Sequence, residues 1–408
     1  MNTQNPLIGL NLYRAFAIVL MVVAHASRLQ TNLRDIRQNS ELAGFCDQLV
    51  LFVLRFEPAI SAMFLFIAGF SLVLSNTARS GTQGAWLHHQ GIRALQLYGI
   101  AILFFIGDEG MQWPDVLVSP GILSVIAVAL LVGAICMIQK HAMLALGSCT
   151  VLGVLLTLTL ERMQSPIPGL YAGAGGMFPL VTLTWLGAMV GLARQRWPQH
   201  GLQVCLAISL VVGGLALVNL SPWTTHPLST VRIYPGERAT AVLYSLQDAF
   251  GLYNGQAQLR SIAYWNHAAI FVPRSLPFLI LALAVFLYLF RDTPITGAEQ
   301  SLRQKSAPNF KQRKKQPLKS KKTSLQESTQ QTFAKTKCLV PAISLFNRLG
   351  SQALNVYILH LTLLAPFALF GMNPTTGWQT LALTVFIIGF SLWLLRFVSI
   401  VPPKINCR

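Results

Sequence analysis

The chain has 408 residues, 53% of them hydrophobic and only 11% charged, with a formal net charge of +18. A soluble domain carries about 25% charged residues, so that class is excluded. A nucleic-acid partner is not expected either, because the charge is gathered: residues 291–348 hold 13 basic and 3 acidic residues, +10 of the +18.

The apolar residues fall into blocks near the roughly 20 residues that cross a hydrocarbon core of about 30 Å. The expected fold class is all-α, a polytopic transmembrane helical bundle of about ten spans, with one external polar segment and one basic cytoplasmic loop. In chain order the spans are 8–26, 56–76, 93–107, 119–138, 142–160, 177–193, 202–220, 267–290, 349–371 and 378–400. The first could be misread as a signal peptide, since Ala24-His25-Ala26 resembles a cleavage site. Its n-region has Arg14 as its only charge, so it is kept as a span. Residues 46–55 are read as an interfacial stretch before the second span. "LGAMVGL" (186–192) has a Gly-x-x-x-Gly spacing, which helix packing explains in full. Three of the six cysteines, Cys136, Cys149 and Cys205, fall in apolar spans, and no external disulfide is expected.

Three regions follow: 1–290 with eight helices and the polar segment 221–266, the loop 291–348, and 349–408 with two helices and a tail. Basic residues orient them. With the N-terminus inside, Arg79, Arg93, Lys140, Arg194, Arg196 and the 291–348 block are cytoplasmic, and both termini are cytoplasmic. The first outer loop fits poorly, with Arg28, Arg34 and Arg37 outside. "RQKSAPNFKQRKKQPLKSKK" (303–322) has a disordered composition, and its charge suits topology and contact with anionic membrane lipid. The external segment carries Trp223, His226, Tyr234, Tyr244, Tyr253, Tyr264 and Trp265. Such rings suit sugar faces; an interfacial aromatic belt is the other reading.

The most informative stretch is "NLYRAFAIVLMVVAHAS" (11–27). Arg14 and His25 are eleven residues apart, hence on nearly one helix face and about 16 Å apart along the axis. Ionisable groups inside a span are functional candidates by default. The plain alternative is that Arg14 snorkels to the inner headgroups and His25 caps the outer end. Other polar groups collect on the outer side: Glu57 opens the second span, Asp108 and Glu109 end the third, Asp115 follows, and His360 lies inside the ninth. A histidine beside a carboxylate is a general base at neutral pH, so His25, Glu57 and Asp108 are the catalytic candidates. Glu109, Trp223, His226 and His360 are candidates for holding an acceptor. Neither a His-x-x-x-His nor a Cys-x-x-Cys pair occurs, so no metal is expected.

Arg14, ten residues, then His25 resembles the first-helix signature of acyltransferase type 3 membrane proteins. "SAMFLFIAGFSLVLS" (61–75) is similar to their second helix, and closer still to bacterial relatives of heparan-alpha-glucosaminide N-acetyltransferase. "GILSVIAVALLVGA" (121–134), "FPLVTLTWLGAMVGL" (178–192) and "LGSQALNVYILHLTLL" (349–364) resemble later segments in the same order. Two departures stand out: "SGF" reads Ala68-Gly69-Phe70, and "DxxRG" reads Asn11-Leu12-Tyr13-Arg14-Ala15, with no acid. The resemblance implies transfer of an acyl group, by default acetyl, from cytoplasmic acetyl-CoA to an extracytoplasmic glycan or cell-envelope acceptor across a bacterial inner membrane. Arg14 and Arg93 would bind the donor's phosphates. His25 would take a proton from the acceptor or carry the acyl group, so that Arg14 and His25 mark the ends of one acyl-CoA channel.

Two rival readings use the same charges. A transporter or flippase for an envelope lipid or glycan predicts inverted repeats and broken helices in matching positions, and neither is visible in the sequence. A non-enzymatic membrane partner with a lipid-binding loop leaves Arg14 and His25 unexplained.

Overall fold

The computed structural model describes residues 6–33, 36, 43–55, 57–78, 81–109, 115–118, 121–163, 177–218, 231–232, 240–241, 271–290 and 339–397. Their helices are α1 (Pro6–Arg28), α2 (Phe45–Arg55), α3 (Glu57–Thr77), α4 (Gln83–Glu109), α5 (Asp115–Val118), α6 (Ile122–Met137) and α7 (Ala142–Met163). They continue as α8 (Leu180–Arg196), α9 (Gly201–Val218), α10 (Phe271–Leu289), α11 (Leu339–Ser351), α12 (Ala353–Leu369) and α13 (Gly377–Leu394). Between α9 and α10, Val231 and Arg232 pair antiparallel with Ala241 and Thr240.

Helix is the expected state for these sequences, because lipid satisfies no backbone N–H or C=O and the helix satisfies them internally. Hydroxyls inside the apolar helices behave the same way. Thr150 donates to the Leu146 carbonyl at 2.8 Å, Thr157 to Gly153 at 2.7 Å and Thr384 to Thr380 at 2.9 Å.

Five described helices are long and apolar enough to cross a membrane: Ile8–Arg28, Ala59–Thr77, Gln83–Gly107, Ala142–Thr159 and Gly377–Leu394. A broken pair, Ala342–Ser351 and Ala353–Leu369, is a sixth candidate, and α6 together with parts of α2, α9 and α10 are shorter apolar helices. Each expected span overlaps a described helix, but five or six of these helices, not ten, are long and apolar enough to cross a membrane, and two expected bounds differ most. The third begins at Gln83, ten residues before Arg93, because polar residues hide its first turns from hydropathy. The ninth breaks at Gln352, so Leu349–Ser351 end the amphipathic α11.

The backbone divides into two compact units, residues 1–16 with 285–353 and residues 17–284 with 354–408. In the first, Tyr13 meets Phe286 edge-on, with ring centroids 5.8 Å apart. Gly350 lies against the Asn11 carbonyl, and Asn11 Nδ2 donates to Asn347 Oδ1 at 2.9 Å.

In the second unit, α3 and α8 form the best-packed pair. A Cβ at Gly69 would overlap the Thr184 carbonyl, and one at Gly187 would overlap the Phe66 carbonyl. The expected Gly-x-x-x-Gly packing is thus borne out, with Gly191 against Val73. The glycine of Ala68-Gly69-Phe70 supplies the other side of the crossing. Trp185 ties α8 to α6 through Nε1–H to the Ala129 carbonyl at 3.1 Å. Trp86 and Gln90 both donate to Ser75 Oγ at 3.2 Å, tying α4 to α3. A polar network closes one end of the unit. Asp47 Oδ1 accepts from Gly377 N–H at 2.6 Å and from Gln30 Nε2 at 3.0 Å, and Thr380 donates to Gln30 Oε1 at 2.9 Å. Asp47 on α2 therefore caps α13, whose own N-cap Thr376 makes no side-chain capping bond.

Candidate functional site

The site is built on α1, α3 and α12 within the second unit. His25 projects from α1 and meets His360 of α12, with Nδ1 2.7 Å from Nε2. The rings are nearly parallel, 9° apart, with centroids separated by 5.0 Å. Tyr357, one turn before His360, stands edge-on to it at 5.1 Å, and Phe64 of α3 packs on Tyr357 at 5.9 Å. His360 is fully buried, whereas His25 is half-buried. The histidine on α1 is thus the less buried of the two.

Hydrogen-bond chemistry orders the protons. His360 Nδ1 lies 3.2 Å from the Val356 carbonyl, which can only accept. Nδ1 of His360 therefore carries the hydrogen, and its Nε2 is the lone-pair nitrogen. That nitrogen accepts from His25 Nδ1–H, which leaves the lone pair of His25 on Nε2. A buried carbonyl and a buried imidazole set the tautomer of a half-buried one, the arrangement by which an orienting group prepares a general base.

Arg14 lies in the other unit. Its Nη1 donates to Asn11 Oδ1 at 3.1 Å. Asn11 is the residue that stands where the resembling sequences carry an acid, and it supplies the arginine with a neutral acceptor. Arg93 lies well inside α4, and its buried Nε has no hydrogen-bond partner among the described residues; the same holds for Arg194 Nη1 on α8. An unsatisfied buried guanidinium nitrogen is suited to an anionic oxygen.

The structure thus brings together two of the expected site residues, His25 and His360. Glu57 opens α3, and Asp108 and Glu109 close α4. Trp223 and His226 lie outside the described residues. Sequence reasoning did not single out Tyr357 or the Val356 carbonyl. Their signal was the helical spacing of "VYILH", with Tyr357 three and Val356 four residues before His360. It also passed over Gln30, Asp47 and Thr380, which have no neighbours in sequence to mark them.

Residues 7–200 match the family described as heparan-alpha-glucosaminide N-acetyltransferase, catalytic. This region of the chain is heparan-alpha-glucosaminide N-acetyltransferase-like. The resemblance read from Arg14, His25 and the second-helix segment is supported there. The matched region covers just under half of the chain, runs from α1 through α8 and includes His25, Glu57, Arg93, Asp108 and Glu109. His360 lies beyond it. The apolar helices suit a membrane protein, and residues 7–200 are similar to an acetyltransferase family. No curated protein matches the chain.

Proposed function

We propose that the protein is a membrane acetyltransferase that moves an acetyl group from cytoplasmic acetyl-CoA to an extracytoplasmic glycan or cell-envelope acceptor, with His25 as general base. The observation that carries this reading is the His25–His360 contact, which engages Nδ1 of His25 and leaves its lone pair on Nε2. In the reaction, Nε2 takes the proton of an acceptor hydroxyl or amine. The acceptor oxygen or nitrogen bonds to the thioester carbonyl carbon, the C–S bond breaks, and the CoA thiolate leaves and recovers a proton. His360 acts through His25 as a positioning residue, a different role from the acceptor contact expected from sequence.

Arg93 is a candidate for the donor's phosphates, and its unsatisfied Nε supports that role. For Arg14 the reading rests on its charge within a span. The distribution of basic residues supports cytoplasmic termini, a cytoplasmic 291–348 and an external 221–266. A bacterial inner membrane is the setting that fits these features.

The test is acetyl-CoA turnover by purified protein, first in detergent and then in proteoliposomes holding a candidate glycan inside. Thiol release from acetyl-CoA that disappears in a folded His25→Ala variant supports the reading. Folded wild-type protein that neither binds nor consumes acetyl-CoA overturns it.

A further inference from the structure

A groove of about 1280 Å³ runs between α7 and α8, away from the histidine pair. It exceeds the roughly 300–1,000 Å³ of ordinary small-molecule sites. One end is polar, lined by Lys140, His141, Gln195, Arg196 and Trp197. The walls are apolar, with Leu144, Val151 and Leu152 on one helix and Met189 and Leu192 on the other. Small residues, Gly147 and Ser148, form the trough on α7. No acidic residue lines it among the described residues.

Sequence explains this shape. The two helices touch where Gly153 meets Thr182 and Trp185, so closely that a Cβ at Gly153 would lie 2.7 Å from the threonine methyl. The groove occupies the Lys140–Arg196 side of that contact. Lys140 and His141 immediately precede the N-terminus of α7, whose free N–H groups and dipole favour an anion. Arg196 ends α8, with its guanidinium 5.5 Å from the Trp197 ring centroid. A tryptophan beside an arginine at a helix end is the usual pattern at a membrane interface. α7 is otherwise open: only 17% of the stretch Ala142–Thr159 is buried within the protein, and Leu144 is 70% and Leu152 64% exposed. From Ala142 to Leu152 the helix rises about 15 Å, half of a hydrocarbon core of about 30 Å. The groove therefore has the depth of one leaflet.

We infer that this groove is a binding site for an anionic diacyl phospholipid, with the phosphate between Lys140, His141 and Arg196 and the acyl chains along Leu144, Val151 and Leu152. Charge complementarity selects the headgroup: a rim with Lys140 and Arg196, and no acid among the described residues, attracts an anionic headgroup over a zwitterionic one. The apolar trough selects a lipid over a soluble phosphate. The site is independent of the acyl-transfer reading, since it uses neither His25 nor the residues assigned to the donor.

The test is native mass spectrometry of detergent-solubilised protein titrated with dioleoyl-phosphatidylglycerol or dioleoyl-phosphatidylcholine. The inference requires tighter retention of the phosphatidylglycerol, weakened by added salt. A Lys140→Gln/Arg196→Gln double variant should bind it about tenfold or more weakly while its thermal unfolding is unchanged. A Ser148→Leu variant, which fills the trough and leaves the charges, should weaken it too. Equal retention of the two lipids overturns the inference, as does retention unaffected by either variant. Displacement of the bound lipid by acetyl-CoA or inorganic phosphate, but not by a second anionic phospholipid, also overturns it and makes the groove a soluble-phosphate site.

Discussion

His25 Nδ1 and His360 Nε2 lie 2.7 Å apart although 335 residues separate them, and the contact joins α1 to α12. Its consequence for activity can be measured. His25→Ala should lower turnover by about 10²–10⁴, the usual effect of losing a general base. His360→Phe keeps a ring in the buried slot but offers no acceptor to His25. It should lower kcat about tenfold or more, the effect of one unsatisfied buried donor, with the KM for acetyl-CoA unchanged. His360→Gln restores an acceptor and should recover part of the loss. Full turnover in the phenylalanine variant would remove His360 from the mechanism.

The crossing of α3 and α8 should tolerate no side chain. Gly69→Leu and Gly187→Leu should each cost about 1–3 kcal/mol or more by overpacking, since a Cβ there meets backbone, which cannot yield as a side-chain tip can. Gly99→Ala, where a Cβ meets nothing within 4 Å, should leave stability unchanged or slightly raised. Thermal unfolding in detergent separates the two classes. A leucine variant at either crossing position with parental stability would contradict the packing.

Asp47 holds two partners on two other segments, Gly377 N–H and Gln30 Nε2. Asp47→Ala should cost about 0.5–2 kcal/mol, the range for losing a helix cap. Asp47→Asn keeps one acceptor oxygen and should cost less. Hydrogen exchange of the first turn of α13 gives a local readout. An alanine variant with unchanged protection there would show that the cap contributes nothing.

These residues also mark where sequence is readable and where it is not. Hydropathy located the helices because lipid imposes one backbone solution, and Gly187-x-x-x-Gly191 was legible because its packing signal is local. Arg93 was assigned to a helix start because Gln83–Ile92 is too polar for a hydropathy window; the buried Nε lies well inside α4. His25 and His360 were each singled out as rare ionisable groups in apolar spans. Their pairing was not legible, since no period or spacing links positions that far apart. Asp47 and Gly377 failed for the same reason.

The basic loop should be dispensable for chemistry. Its composition is that of a solvated segment, so deleting residues 300–335 should leave acetyl-CoA turnover within about twofold of the parent. A reporter fused after Arg313 should read as cytoplasmic. Complete loss of activity in a well-expressed deletion would give the loop a part in donor binding, and an external reporter would reverse the side from which acetyl-CoA enters.

The imidazole of His25 has two nitrogens, and the contact with His360 engages the pros nitrogen, Nδ1. Regiochemistry follows. An electrophile that reaches this ring meets only the tele nitrogen, whether it is a thioester carbonyl or a reagent such as diethylpyrocarbonate. An adduct trapped on His25 should be the single tele isomer, and a His360→Phe variant, with the pros nitrogen released, should give both.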